Sequence, residues 1–238
     1  MNIGSARTSG NGMAKPIYSI TPFTLLDYPN HPACILWFAG CNMRCVYCYN
    51  PEIVLGKGKL GITEVTKFLQ SRQGLLQAVV FSGGECTIHS AFVPLVQTAK
   101  DLGYLVKVDT NGTRPKLLKQ LIVEGLIDYV ALDFKGLGRQ HVSITQSDTF
   151  PSFPQSLAVL LEATIPFEIR TTWHSALLTL NDIRSMINYL EQYDYQGNYY
   201  IQRFFNDVST LGELPDMYDT LDTKSLSTAN IKVSLRNG

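Results

Sequence analysis

Apolar positions in this chain come in blocks of strand length. Residues 33–39 (ACILWFA) are continuously apolar, and a run of that kind suits a strand covered on both faces. Further strands are predicted at 78–81, 104–108, 128–132, 167–172 and 198–205. Between them the pattern is helical. Thr63 can cap a helix through Leu69, a second helix is predicted over about 91–102, and Pro115 opens a third where its missing N–H costs nothing. Two more are predicted over about 155–163 and 180–192. Six strands alternating with helices make a parallel sheet with right-handed crossovers the default topology. A closed eight-stranded barrel typically needs about 250 residues. At 238 residues, including a Gly-, Ser- and Asn-rich opening, this chain is predicted to be an α/β protein, an open partial (β/α)6 barrel of parallel strands. A flexible leader is expected over 1–16 and a single domain over 17–238. Beyond Asp207 the pattern is irregular, with a short helix predicted near 215–221 and an extended piece at 231–235.

Each predicted strand but the last runs straight into a polar cluster. These are the Cys41 to Cys48 loop, Gly83-Gly84-Glu85, Asp109 to Gly112, Asp133-Phe134-Lys135, and Arg170 to His174. In a parallel barrel such positions share the carboxyl-end face, where chemistry is assembled. Their common placement carries more weight than any one motif.

Composition narrows the picture. Twenty basic residues balance twenty acidic ones, so no nucleic-acid or membrane-surface partner is indicated. No run of about 18 apolar residues marks a membrane span, and the opening lacks the apolar core of a secretory signal. Five cysteines, an odd number with three clustered, argue against a secreted disulfide framework and for a cytoplasmic location.

Cys41, Cys45 and Cys48 place three thiols within eight residues, spaced so that a loop can turn all three toward one centre. Structural zinc takes four protein ligands, and here the fourth would have to be a remote Cys or His. A cubic iron–sulfur cluster with three thiolates keeps one iron open to an outside ligand. The spacing alone leaves both open, along with a zinc-stabilised binding module. The pair Gly83-Gly84 reads equally as a tight strand-to-helix turn, Asp133 and Lys135 as a solvated turn, and Arg170 as a buried partner of Asp109 or Asp133. His31, His89 and His141 read as surface or capping residues.

The pattern Cys41-x-x-x-Cys45-x-Tyr47-Cys48, joined by Gly83-Gly84-Glu85, resembles the radical S-adenosylmethionine enzymes over about residues 20–205. The resemblance implies one 4Fe-4S cluster on Cys41, Cys45 and Cys48, with the cofactor's amino and carboxylate groups on the open iron. It implies reductive cleavage of S-adenosylmethionine to methionine and a 5′-deoxyadenosyl radical. Gly83, Gly84 and Glu85 would lie beside the methionine part and the backbone at Tyr47 beside the adenine. Asp133-x-Lys135 is similar to the cofactor-binding element of the glycyl-radical-enzyme activases. Asp109-Thr110 resembles their segment beside the cofactor carboxylate, next to a monovalent cation in some members. Arg170 and His174 are further candidates for that carboxylate.

Only 34 residues separate Cys48 from Gly83, with no cysteine among them, so the inserted clusters of some activases are missing. The opening from Thr21 to Pro29 and the run Cys48-Tyr49-Asn50-Pro51-Glu52 look like the short activase of the anaerobic ribonucleoside-triphosphate reductase. Cys86 stands where Pro or a small residue is commoner, and Tyr49 where that group often has His. The implied function is abstraction of a glycine hydrogen in that reductase, with a flavodoxin or ferredoxin as electron donor. The rival is a radical enzyme acting on a small molecule in cofactor or modified-base biosynthesis.

Overall fold

The computed structural model describes residues 15–237. A single sheet runs in chain order through β1 (Ile17–Thr24), β2 (Ala33–Phe38), β3 (Ala78–Gly83), β4 (Leu105–Thr110), β5 (Tyr129–Asp133), β6 (Phe167–Trp173), β7 (Gly197–Arg203) and β8 (Ile231–Asn237). β1 is antiparallel to β2, and every later neighbour pair is parallel. β1 and β8 form the two edges, so the barrel is open. The six predicted strands are β2 to β7. Seven helices accompany them: α1 (Pro51–Leu55), α2 (Ile62–Ser71), α3 (Phe92–Asp101), α4 (Pro115–Val123), α5 (Gly138–Thr145), α6 (Ser152–Glu162) and α7 (Leu180–Glu191).

β2 and β3 are buried on both faces, which accounts for their unbroken apolar runs. Outward side chains such as Leu36, Phe38, Val79 and Phe81 join the main core under the helices, while Ala33, Ile35, Ala78 and Val80 pack with Tyr28 in a small second core. Along β4 to β6 one face changes from apolar to charged, bearing Lys107, Asp109, Asp133, Glu168 and Arg170. The opposite face keeps Val106, Val108, Val130, Leu132 and Ile169, all fully buried. The period-two alternation of a strand separates the two sets.

Some expectations need correction. β1 was not anticipated, because IYSITPFT is mostly half-buried, with no clear apolar alternation, and carries Pro22. No helix forms at 215–221. That segment is irregular because its polar backbone groups are claimed from outside: His174 Nε2 bonds the Pro215 carbonyl at 2.8 Å and Asn206 Oδ1 accepts from Met217 N at 2.8 Å. A short 3-10 turn at Lys224–Leu226 comes later. His141 is buried, not on the surface, with its Nε2 3.2 Å from Thr149 Oγ1, and burial pushes its pKa down to about 4. Residues 1–14 of the expected leader lie outside the described residues. Pro16 already belongs to the fold, since its carbonyl accepts from Ala39 N at 3.0 Å.

Candidate functional site

The loop leaving β2 is held from several sides. Gly40 N donates to Ile53 O at 2.8 Å, and His89 Nε2 bonds the Ala39 carbonyl, a task its reading as a surface residue did not foresee. Arg44 N and Val46 N donate to Thr145 O and Ile144 O, the last carbonyls of α5, at 2.8 and 2.9 Å. These are C-terminal carbonyls that have no partner within their own helix. On the other side Leu211 N and Gly212 N donate to Cys48 O and Val46 O at 3.0 and 2.9 Å. Tyr49 stacks on Phe204 and its hydroxyl accepts from Phe205 N at 2.7 Å. The three cysteines thus sit on a backbone anchored at nearly every residue.

Gly83 and Gly84 serve this loop directly. Gly83 has φ +120°, and a Cβ there would lie 2.3 Å from Phe38 N. A Cβ on Gly84 would lie 1.9 Å from Gly40 O and 3.1 Å from Cys41 Cβ. Only glycine lets the end of β3 approach the cysteine loop so closely. Glu85 then joins β3 to β4: buried at 1% exposure, it accepts from Thr87 N, Thr87 Oγ1, Thr110 Oγ1 and Asn111 N. Burial raises its pKa against the pull of those donors. Asn111 continues the connection, donating from Nδ2 to Asn42 Oδ1 at 2.8 Å, one residue from Cys41.

Beside the loop runs a ladder of alternating charge. Lys107 Nζ lies 2.7 Å from Asp109 Oδ1; Arg170 lies 3.4 Å from Asp109 Oδ2 and 2.6 Å from Asp133 Oδ1; Lys135 Nζ lies 3.1 Å from Asp133 Oδ2. Register explains the arrangement: Asp133 and Arg170 are direct partners across β5 and β6, and Lys107 and Asp109 share one face of β4. Burial works to raise the Asp133 carboxyl, but Arg170 and Lys135 overcome it and hold the pKa at about 2. Arg170 and Lys107 likewise hold Asp109 below its ordinary value. Burial opposes the Lys135 charge, and Asp133 outweighs it, lifting the pKa well above the lysine range. The Lys135 ammonium sits 5.7 Å from the Tyr47 ring centroid. The structure therefore gathers Tyr47, Asp109, Asp133, Lys135 and Arg170 around the cysteine loop.

His174 stands outside this ladder. Its Nδ1 accepts from Ala176 N at 3.1 Å, its Nε2 bonds Pro215 O, and its ring meets Phe204 edge-on. Both ring nitrogens are committed, and the histidine acts through Phe204 on Tyr49. Lys107 was missed, although a single Lys in the apolar run 104–108 was a readable signal. Asn42 and Asn111 left no comparable trace, because their roles depend on a contact across 69 positions of sequence.

The donor set fits a cluster with one open iron. Burial pushes the Cys41 thiol up to about 12 and raises Cys45 as well, so metal loading must release protons there. A fourth ligand is not at hand. Cys34 is buried on β2, and Cys86 Sγ faces the carbonyls of Phe81 and Asp109 at 3.6 Å. The four histidines bond elsewhere. Among the described residues no three His, Cys, Asp or Glu side chains converge on a single ion.

Comparison with known proteins agrees with this chemistry. The model of the Radical SAM superfamily matches residues 35–189. A Methanocaldococcus jannaschii protein, provisionally named a glycyl-radical enzyme activating enzyme, is 38% identical over 120 residues, half of each chain. The 7-carboxy-7-deazaguanine synthase of Aquifex aeolicus is 29% identical over 116 residues, 47% of this chain and 49% of that one. The matches span about half the length of these curated relatives. The structure of Streptococcus suis SuiB bound to S-adenosylmethionine superposes with a TM-score of 0.65 over 83% of this chain and 48% of that one, at 14% identity. At that identity the likeness is one of fold.

Proposed function

The chain belongs to the radical SAM superfamily, whose members use a 4Fe-4S cluster and S-adenosylmethionine, and from that premise we propose that it activates a glycyl-radical enzyme. Its substrate would be a backbone glycine of a partner protein, with anaerobic ribonucleoside-triphosphate reductase as the partner and a flavodoxin or ferredoxin as electron donor. When bound, the cluster and cofactor supply one-electron reductive cleavage that drives hydrogen-atom abstraction. The chain supplies placement. Cys41, Cys45 and Cys48 hold the cluster, and Gly83, Gly84 and Glu85 shape the strand end beside it. The ladder of Lys107, Asp109, Arg170, Asp133 and Lys135 carries three cations to two carboxylates, and the surplus positive charge complements the cofactor's carboxylate.

One observation carries the choice of substrate. Among the described residues, every cation on the charged face is paired internally: Lys107, Arg170 and Lys135 in the ladder, and Arg236 with Glu168 at 3.0 Å. Beyond the one surplus charge assigned to the cofactor's carboxylate, these pairs leave no cation over for a nucleotide phosphate. A neutral peptide backbone needs none, which supports a protein segment as substrate. The activase named among the relatives supports the same reading. The small-molecule alternative has two observations behind it, a cavity of about 540 Å³ lined by Lys107, Glu168, Arg170, Gln202 and Arg236, and the likeness to the 7-carboxy-7-deazaguanine synthase of Aquifex aeolicus. Anaerobic incubation of the reduced protein with S-adenosylmethionine and the reductase is expected to give a glycine-centred radical signal on the reductase. Cofactor cleavage without that signal would move the assignment to the small-molecule reading.

A further inference from the structure

Tyr47 lies between the second and third cysteines of the loop, 4% exposed, and its hydroxyl is buried with no hydrogen-bond partner among the described residues. A buried hydroxyl without a partner costs about 1–3 kcal/mol, so its persistence points to a ligand that completes it. The surroundings limit what that ligand can be. The ionisable groups acting on it are Lys135, Cys45, Asp133 and Cys48. Lys135 is a donor only and cannot accept the hydroxyl proton. Asp133, whose carboxylate accepts from Arg170 and Lys135, makes no hydrogen bond with the hydroxyl. No acceptor among the described residues, the cysteine sulfurs included, lies within hydrogen-bond reach of the hydroxyl, so its acceptor arrives with the bound group. Nor can the side chain swing away with its backbone, because Val46 is bonded through N and O to Ile144 and Gly212, and Cys48 through N and O to Cys45 and Leu211.

We infer that the Tyr47 hydroxyl donates a hydrogen bond to the sulfur shell of the cluster held by Cys41, Cys45 and Cys48, and so sets its reduction potential. The inference rests on the reading of those three cysteines as cluster ligands. A hydrogen bond to cluster sulfur stabilises the more negative, reduced state and raises the potential. The effect needs only the O–H group and not the ring, so Tyr47→Phe isolates it.

The test is a redox titration, followed by electron paramagnetic resonance, of cluster-loaded wild type and Tyr47→Phe without S-adenosylmethionine. The variant is expected to hold about tenfold less reduced cluster at a given potential, a fall of about 59 mV for one electron. Equal potentials at equal iron and sulfide content would overturn the inference. So would equal potentials joined to weakened S-adenosylmethionine binding, which would give the hydroxyl to the cofactor. Should the variant fail to load, pulsed resonance of the reduced wild type in H₂O and D₂O decides: an exchangeable proton coupled to the cluster is expected, and its absence overturns the inference. A wild type that takes up no iron would instead remove the ligand reading on which the inference stands.

Discussion

Replacing Arg170 with Met removes the central cation of the ladder while keeping the length of its stem. The guanidinium bridges Asp133 at 2.6 Å and Asp109 at 3.4 Å, with side-chain exposures of 16% for the arginine, 23% for Asp133 and 11% for Asp109. Breaking a buried pair from one side costs about 3–5 kcal/mol. Each aspartate keeps a lysine, so the low end, about 3 kcal/mol, applies here. Linkage gives a consistent figure. The Asp133 pKa is lowered from 3.8 to about 2, and at about 1.4 kcal/mol per unit this contributes roughly 2 kcal/mol of folding stability at neutral pH. A depressed carboxylate contributes that stability above its unfolded pKa and loses it as pH falls through the folded one. The deficit of Arg170→Met is therefore expected in full above about pH 4 and should shrink between about pH 4 and pH 2. Urea unfolding of the metal-free protein at pH 7 and at points down this window measures it, and a fall in Tm of about 6–12 °C at pH 7 should accompany it. A loss below 1 kcal/mol at pH 7, or one that does not diminish in acid, would refute the account of the ladder.

Three further outcomes follow from the site. Changing Cys41, Cys45 or Cys48 to Ala should abolish cluster loading, read as iron content and absorbance near 400 nm, whereas Cys34→Ser and Cys86→Ser should load normally, because those thiols face the core. Gly84→Ala should lose the cluster even though no ligand is touched, since its methyl would sit 1.9 Å from Gly40 O and displace the loop; normal iron content would show that the loop can yield. Lys135→Ala should weaken S-adenosylmethionine binding at least tenfold by calorimetry on the cluster-loaded protein while leaving iron content unchanged, and loss of iron would give Lys135 a structural role.

Much of the fold was legible because local physics dictated it. Strands β2 and β3 are apolar runs, and β4 to β7 keep alternate residues for the large outer core. The failures share a cause. α5 escaped notice because few of its residues are apolar and buried; His141, Ile144 and Thr145 are its buried set. The irregular course of 215–221 is imposed by side chains outside it, His174 on Pro215 and Asn206 on Met217. β1 is an edge strand with a half-exposed pattern, and pairing with β2 decides its conformation.

The site divides in the same way. The cysteine spacing, the two glycines and the placement of Asp109 and Asp133 at the ends of their strands were written in the sequence, because ligand spacing and strand ends are local properties. That Arg170 bridges two aspartates from neighbouring strands, that Lys107 completes the ladder and that His174 turns away to Pro215 were settled only by strand register and packing. The glycines show the two levels meeting. Their presence after β3 was plain in the chain, but the need for them, the backbone of the cysteine loop within van der Waals reach, exists only once β2 and β3 lie side by side.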